Sequence, residues 1–339
     1  MADRCNEPSR RGFLKAAGTA TLATTATGSV AGCLGDSDEA DNGGSGGGTL
    51  RYGRSAHSAT LDPQNTTSGE VSKVTNQIYD GLIDFQPGGA AITESLATDW
   101  SMEGTSVSLT LREGVQFDDG TEFTAADFIA TYRRFTDEEY EYYFEDRSAY
   151  GSFTLGNWID SVEADGDYSL SITLTQPYAP FLRNLAMFAA VVLSADDIES
   201  GFDFNSDANG TGPFQLSELD DANGRIQLTR NSNYWGDGPQ VDQVLFVERG
   251  QNSTRAQALV EGELDIIDNL DPSTIGTVED ADSTTVVNGQ GINVGYLGFN
   301  QSQVEAFRDT RVRQAISYAI DTQSIVEEVY DGIATQAGQ

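Results

Sequence analysis

The chain has 339 residues, 19 basic and 53 acidic side chains and a formal net charge of -34, which excludes a nucleic-acid partner and adhesion to anionic lipid by charge alone. Lysine is confined to Lys15 and Lys73; such an acidic, lysine-poor surface suits concentrated brine, where the screening length falls to ~3 Å and self-repulsion fades. His57 is the only histidine and the cysteines are Cys5 and Cys33, so a His-pair metal site, an HExxH site and a disulfide within the folded body are excluded.

The first 32 residues read as an export signal. Arg10 and Arg11 stand in Ser9-Arg10-Arg11-Gly12-Phe13-Leu14-Lys15, a twin-arginine pattern, and a weakly apolar Ala/Thr stretch leads to Val30-Ala31-Gly32-Cys33. Small residues ending in cysteine form a lipoprotein site, at which the Cys33 sulfur is acylated and becomes the mature N-terminus. Residues 33–48 are acidic and Gly/Ser-rich, the composition of a flexible tether. The longest later apolar run, Leu185 to Leu193, falls far short of the ~20 residues a membrane-spanning helix needs. The sequence therefore predicts a body held at the membrane by lipid only.

From Thr49 strands and helices alternate. Thr49 to Gly53 is a first strand. A helix is predicted over 69–83, with Val71, Val74, Ile78 and Leu82 at helical spacing and Thr67 and Ser68 placed to cap its start. Val107, Leu109 and Leu111 alternate as in a half-buried strand, and Gln116 to Gly120 supplies a turn. Thr124 to Asp127 opens a helix bearing Phe128, Tyr132 and Phe135. Leu170, Ile172 and Leu174 alternate again; Ile226 with Leu228, and Val244 to Val247, give two further strands. Asp309 opens a last helix with Val312, Ala315, Ile316 and Ala319 on one face. The mixed order points to α/β or α+β lobes.

A series of short motifs runs along the chain: Leu61-Asp62-Pro63; Gln77 to Leu82; Leu111 to Val115; Phe117 to Gly120; Phe123-Thr124-Ala125; Gly210-Thr211-Gly212-Pro213-Phe214; Arg230-Asn231 with Tyr234-Trp235-Gly236; Gly262 to Asp265; Tyr296 to Asn300; and Arg311 to Ile316 with Ala319 to Asp321. Taken in this order, the series resembles the extracytoplasmic solute-binding proteins of ABC importers, family 5, the dipeptide/oligopeptide type, in a haloarchaeal lipoprotein form. Most of these residues also read as scaffold: tight turns, aromatic packing and an amphipathic helix. The resemblance implies an α/β, two-lobed periplasmic-binding-protein-like fold with an extra subdomain in lobe I. Lobe I would cover 49–291, with the subdomain inserted at about 84–209. Residues 292–339 would begin lobe II, which is truncated relative to family members because they continue well beyond Gln339.

The function implied is capture of di- and oligopeptides outside the membrane and delivery to ABC permease subunits, as a monomer, with no cofactor, no metal and no catalysis. Thr67 and Ser68 fall where relatives line the cleft, Tyr142 and Tyr143 (beside Tyr140) fall in a variable loop that sometimes contacts ligand, and Asn300 sits at the mouth of the hinge. Capping, surface and packing roles stand open for each. Other solutes bound on the same fold (an oligosaccharide, a metal chelate, haem or glutathione) also stand open, as do a sensory role and a non-functional fragment. A secreted hydrolase would have to rely on paired carboxylates, since no GxSxG elbow occurs and no thiol lies in the body.

Overall fold

In the computed structural model the described residues are 47–58, 60–287 and 295–336. Arg10, Arg11, Cys33, most of the tether and the first part of the predicted crossing at 292–300 lie outside them. In chain order the elements are β1 (Thr49–Arg54), α1 (Gly69–Ile78), β2 (Ile83–Phe85), β3 (Ile92–Glu94), β4 (Ala97–Glu103), β5 (Ser106–Leu111), α2 (Ala125–Thr136), β6 (Ile159–Ala164) and β7 (Ser169–Leu174). There follow two short helices, α3 (Phe181–Asn184) and α4 (Ala195–Ser200), then β8 (Phe214–Asp220), β9 (Arg225–Arg230), β10 (Gln243–Glu248), α5 (Asn252–Val260), β11 (Ile266–Ile267), α6 (Pro272–Glu279) and α7 (Thr310–Ala319).

Two sheets carry two cores. The first sheet runs β11-β1-β10-β9-β8; β1 lies parallel to both β10 and β11, and the remaining pairs are antiparallel. Leu50, Val74, Ile78, Phe214, Ile226, Leu228 and Phe246 bury against one another on it. The second sheet, β4-β5-β7-β6, is antiparallel throughout. Its β5 alternates exposed and buried residues, the pattern of a sheet with one face on the core. Val107, Leu109, Leu170 and Ile172 from that face pack with Phe123, Phe128 and Phe135 around α2.

Local signals explain where the helices start. The Ser68 hydroxyl accepts from Glu70 N–H at 3.2 Å, and Asp127 Oδ2 accepts from Thr124 N–H at 2.7 Å, closing a capping box. Helix α1 is shorter than the apolar spacing predicts: it stops at Ile78, and Leu82 lies beyond it. The stop has a steric and a hydrogen-bonding cause. Gly212 N–H donates to Ile78 O at 2.7 Å, taking the carbonyl that another helical turn would use. A Cβ at Gly210 would sit 2.1 Å from that same oxygen, and one at Gly212 would sit 2.5 Å away. Only glycine allows the Gly-Thr-Gly-Pro loop to close on the helix end.

That loop lies on a seam between the two cores, and five of the ten sequence motifs meet there. Asp80 Oδ2 accepts from the Thr211 hydroxyl and from the Trp235 indole N–H, at 3.2 and 2.9 Å. The Arg112 guanidinium covers the Trp235 ring at 4.4 Å. Asp118, in the turn after β5, accepts from Gly210 N–H at 3.2 Å, and Asp119 N–H donates to Asn209 Oδ1. Burial pushes the Asp118 carboxyl up to about 7, with Asp119 adding to the rise, while the bonds from Gly210 and Gln215 hold it down. Tyr79, fully buried beside Asp62, Asp118 and Asp197, is raised by the same burial.

A carboxyl whose folded-state value lies above its unfolded one contributes stability below the unfolded value and loses it as pH rises through the folded one. The expected contribution of Asp118 is therefore full near pH 4 and gone above about pH 7. An Asp118→Asn variant keeps an acceptor for Gly210 and removes the titration. Thermal melts at fixed salt should show it more stable than wild type by several degrees at pH 8 and nearly equal at pH 4.5; a difference independent of pH would refute the assignment.

Candidate ligand-binding site

In sheets with parallel strands, ligands bind beyond the carboxyl ends of those strands, where backbone and side-chain polar groups emerge. Here β1, β10 and β11 are the parallel set. Their ends bring Arg54, Ser55, Asp268 and Asn269 to the first turn of α1, with Glu70 and Lys73. Lys73 Nζ lies 2.6 Å from both Glu70 Oε1 and Asp268 Oδ2. Asp268 Oδ2 also accepts from the Tyr52 hydroxyl at 3.0 Å, and Glu70 Oε1 from the Ser55 hydroxyl at 2.8 Å. Burial, then the Asp268 charge, moves the Tyr52 phenol far above its ordinary range.

Two arginines support this edge from below. Arg54 is fully buried, donates to the Ser58 hydroxyl at 2.7 Å and to Glu70 O at 2.9 Å, and lies 5.2 Å from the Phe246 ring centre. Burial lowers its guanidinium from the usual value. Arg255, from α5 and equally buried, donates to the carbonyls of Arg249, Asp268 and Asn269. Asn269 holds a left-handed backbone, φ 51°, which its short amide side chain tolerates. Two shallow hollows, about 320 and 430 Å³, share Arg249 and Thr254 beside α5, and neither is lined by Arg54, Ser55, Glu70, Lys73, Asp268 or Asn269. The site is thus one open wall of polar groups. Among the described residues no group of three or more His, Cys, Asp or Glu side chains is placed to hold a metal ion.

The residues singled out in the sequence fall into three places. Thr67 is exposed and Ser68 caps α1, both at the edge of this wall. Tyr142 packs edge-on against Tyr140, 5.4 Å between centres, on the first core. Tyr143 lies under the Arg147 guanidinium at 4.4 Å. Their loop is tied to the loop before α1 by Ser148 N–H donating to Gln64 O at 2.8 Å, so these two sets are neighbours. Asn300 is apart from them: its side chain accepts from the backbone of Ser302 and Gln303, closing a local turn. The Glu70–Lys73–Asp268 cluster escaped the sequence reading. Its one signal was that the only lysine of the folded region stands three residues after a glutamate in the first turns of a helix.

Comparison with known proteins places this wall in context. The family described as bacterial extracellular solute-binding proteins, family 5 Middle, matches residues 91–339. The chain is 30% identical over 307 residues to the dipeptide-binding protein of Escherichia coli (strain K12), covering 85% of this chain and 57% of that protein. It is 29% identical over 280 residues to heme-binding protein A of Haemophilus influenzae, covering 78% and 51%. The structure of an ABC transporter-associated periplasmic binding protein from Helicobacter pylori in complex with the peptide STSA superposes with a TM-score of 0.78 at 31% identity, over 86% of this chain and 60% of that one. The chain spans little more than half the length of the curated relatives it matches.

The Lys73–Asp268 pair is mostly shielded, with side chains 20% and 28% exposed, so salt should screen it less than a surface pair. A double-mutant cycle with Lys73→Met and Asp268→Asn, followed by thermal or urea unfolding, is expected to give a coupling of about 1 kcal/mol that persists in molar salt. A coupling near zero at both salt levels would show the pair to be ornamental.

Proposed function

Because the chain belongs to the family 5 extracellular solute-binding proteins, we propose that it is the capturing component of an ABC importer, taking di- and oligopeptides outside the membrane and handing them to the permease. The observation that carries the reading is the likeness, at a TM-score of 0.78, to a binding protein held in complex with a peptide. Residues 49–291 form lobe I, with about 84–209 inserted in it, and 292–339 begin lobe II. Thr67, Ser68, Tyr142 and Tyr143 stand on the lobe I side of the cleft and Asn300 at the hinge.

The physics of capture suits this wall. A peptide has a donor or acceptor at every residue, and each buried one needs a partner. The rim of α1 and the ends of the parallel strands supply hydroxyl, amide and carboxylate groups already fixed by hydrogen bonds, so little ordering is lost when ligand arrives. Lobe closure is then a two-state equilibrium that the ligand biases by binding the closed form better. No bond is broken; the protein acts as a monomeric receptor. Titration calorimetry with a set of di- to tetrapeptides, run on the chain extended to full family length, is expected to show saturable 1:1 binding with the peptide recovered intact. Haem or a sugar bound in preference to every peptide, or hydrolysed peptide, would overturn the reading.

Arg10 and Arg11 direct export, and lipid on Cys33 keeps the receptor on the outer face of the membrane. A Cys33→Ala variant should leave the membrane fraction and appear in the medium; one still sedimenting with membranes would remove lipid as the anchor.

A further inference from the structure

Beneath the polar wall, each of its two carboxylates has one crowded oxygen and one unused oxygen. Glu70 Oε1 accepts from Ser55, Lys73 and Asn269, and Asp268 Oδ2 accepts from Tyr52 and pairs with Lys73. Glu70 Oε2 and Asp268 Oδ1 are buried and accept from no described residue. Arg54 shows the converse. Its Nη1 donates to the Ser58 hydroxyl and to Glu70 O, while Nε and Nη2, on a side chain with no exposure, donate to none.

These four atoms belong to one neighbourhood. Lys73 Nζ, 2.6 Å from both Glu70 Oε1 and Asp268 Oδ2, draws the two carboxylates together. Arg54 Nη1 reaches the backbone of Glu70 itself at 2.9 Å. Burial lowers the Arg54 guanidinium, and Glu70, Tyr52 and Asp268, in that order, act on it in the opposite sense. A buried donor or acceptor left unpaired forfeits its whole desolvation cost, so four in one place call for a common partner.

The chemistry of the four atoms selects that partner. The donors are the Nε–H and an Nη2–H of one guanidinium, which point the same way as a fork, and the acceptors are two carboxylate oxygens. A molecule that accepts two hydrogen bonds and donates two satisfies all four, which is the capacity of a buried water. The local charges favour a neutral occupant, because Arg54 and Lys73 against Glu70 and Asp268 sum to zero and leave nothing for an ion to neutralise. We infer that a water molecule is built into the fold here, accepting from Arg54 Nε and Nη2 and donating to Glu70 Oε2 and Asp268 Oδ1. It ties the end of β1 to the first turn of α1 and to the residues after β11, the three segments that make the wall. Its place does not depend on which solute the wall meets.

The test is a crystal structure of the chain without solute, grown in rubidium bromide at a resolution that shows ordered water. One spherical density peak is expected, roughly 2.7–3.2 Å from Arg54 Nε and Nη2, Glu70 Oε2 and Asp268 Oδ1, with no anomalous signal. An Arg54→Met variant should lose the peak while Lys73 still bridges the two carboxylates. A second measurement needs no variant: with isotope-labelled arginine, the Arg54 Nε–H should show a cross-peak to water of opposite sign in NOESY and ROESY spectra, the mark of a long-lived bound molecule. The water is ruled out by the guanidinium fork bonded directly to either carboxylate, by no peak, by rubidium or bromide in the site, or by a peak that survives Arg54→Met. Cross-peaks that are missing, or of one sign in both spectra, rule it out as well.

Discussion

The ion pair between Asp62 and Arg134 holds the polypeptide in the shape that everything above requires. Asp62 is fully buried and Arg134 nearly so; Nη2 meets Asp62 Oδ2 at 2.6 Å and Nη1 meets Gln64 Oε1 at 2.5 Å. The guanidinium is sandwiched near the rings of Phe144 and Phe204, at 4.5 and 5.0 Å. Gln64 Nε2 in turn donates to Thr131 O, and its own N–H to Asp62 Oδ1. One arginine on α2 thereby fastens the loop that leads into α1, the tyrosine-rich loop after α2 and the segment around Phe204. Removing a single partner would leave a buried charge uncompensated, a loss of about 3–5 kcal/mol. The position of Thr67 and Ser68 at the wall follows from this clamp, because they are the next residues along the fastened loop.

The fold class was legible because it is written in local periodicity. Alternation in Val107, Leu109 and Leu111 reports the half-buried face of β5, and the capping box at Thr124 and Asp127 reports the start of α2. Both signals depend only on neighbouring residues. What escaped was set by distant ones. Helix α1 ends where Gly212, over a hundred residues later, takes its last carbonyl. The motifs shared with family 5 were legible as a series, and the structure shows the reason for several of them: Asp62, Asp80, Arg112, Gly210, Gly212 and Trp235 bind the two cores together. The cluster of Glu70, Lys73 and Asp268 was not legible, since charges almost two hundred residues apart meet only through the parallel pairing of β1 with β11.

The net charge of -34 bears on these contacts unequally. Exposed pairs such as Arg133 with Asp137 lose most of their attraction in strong salt. The Asp62–Arg134 clamp is out of reach of the counterions, so it keeps its strength. Three of the chain's cations sit where screening is weakest: Arg54, Arg134 and Arg255 are inside, each bound to side chains or carbonyls. The surface carries an excess of carboxylates, which solvate well and repel other copies.

Trp235 gives the seam an optical property. Its indole N–H is bound to a buried carboxylate and its ring lies under a guanidinium, and the two partners belong to segments over thirty residues apart in sequence. Separating the cores would strip both partners from the indole together and admit water to the ring. The emission of this one side chain would then shift to longer wavelength before either sheet had come apart.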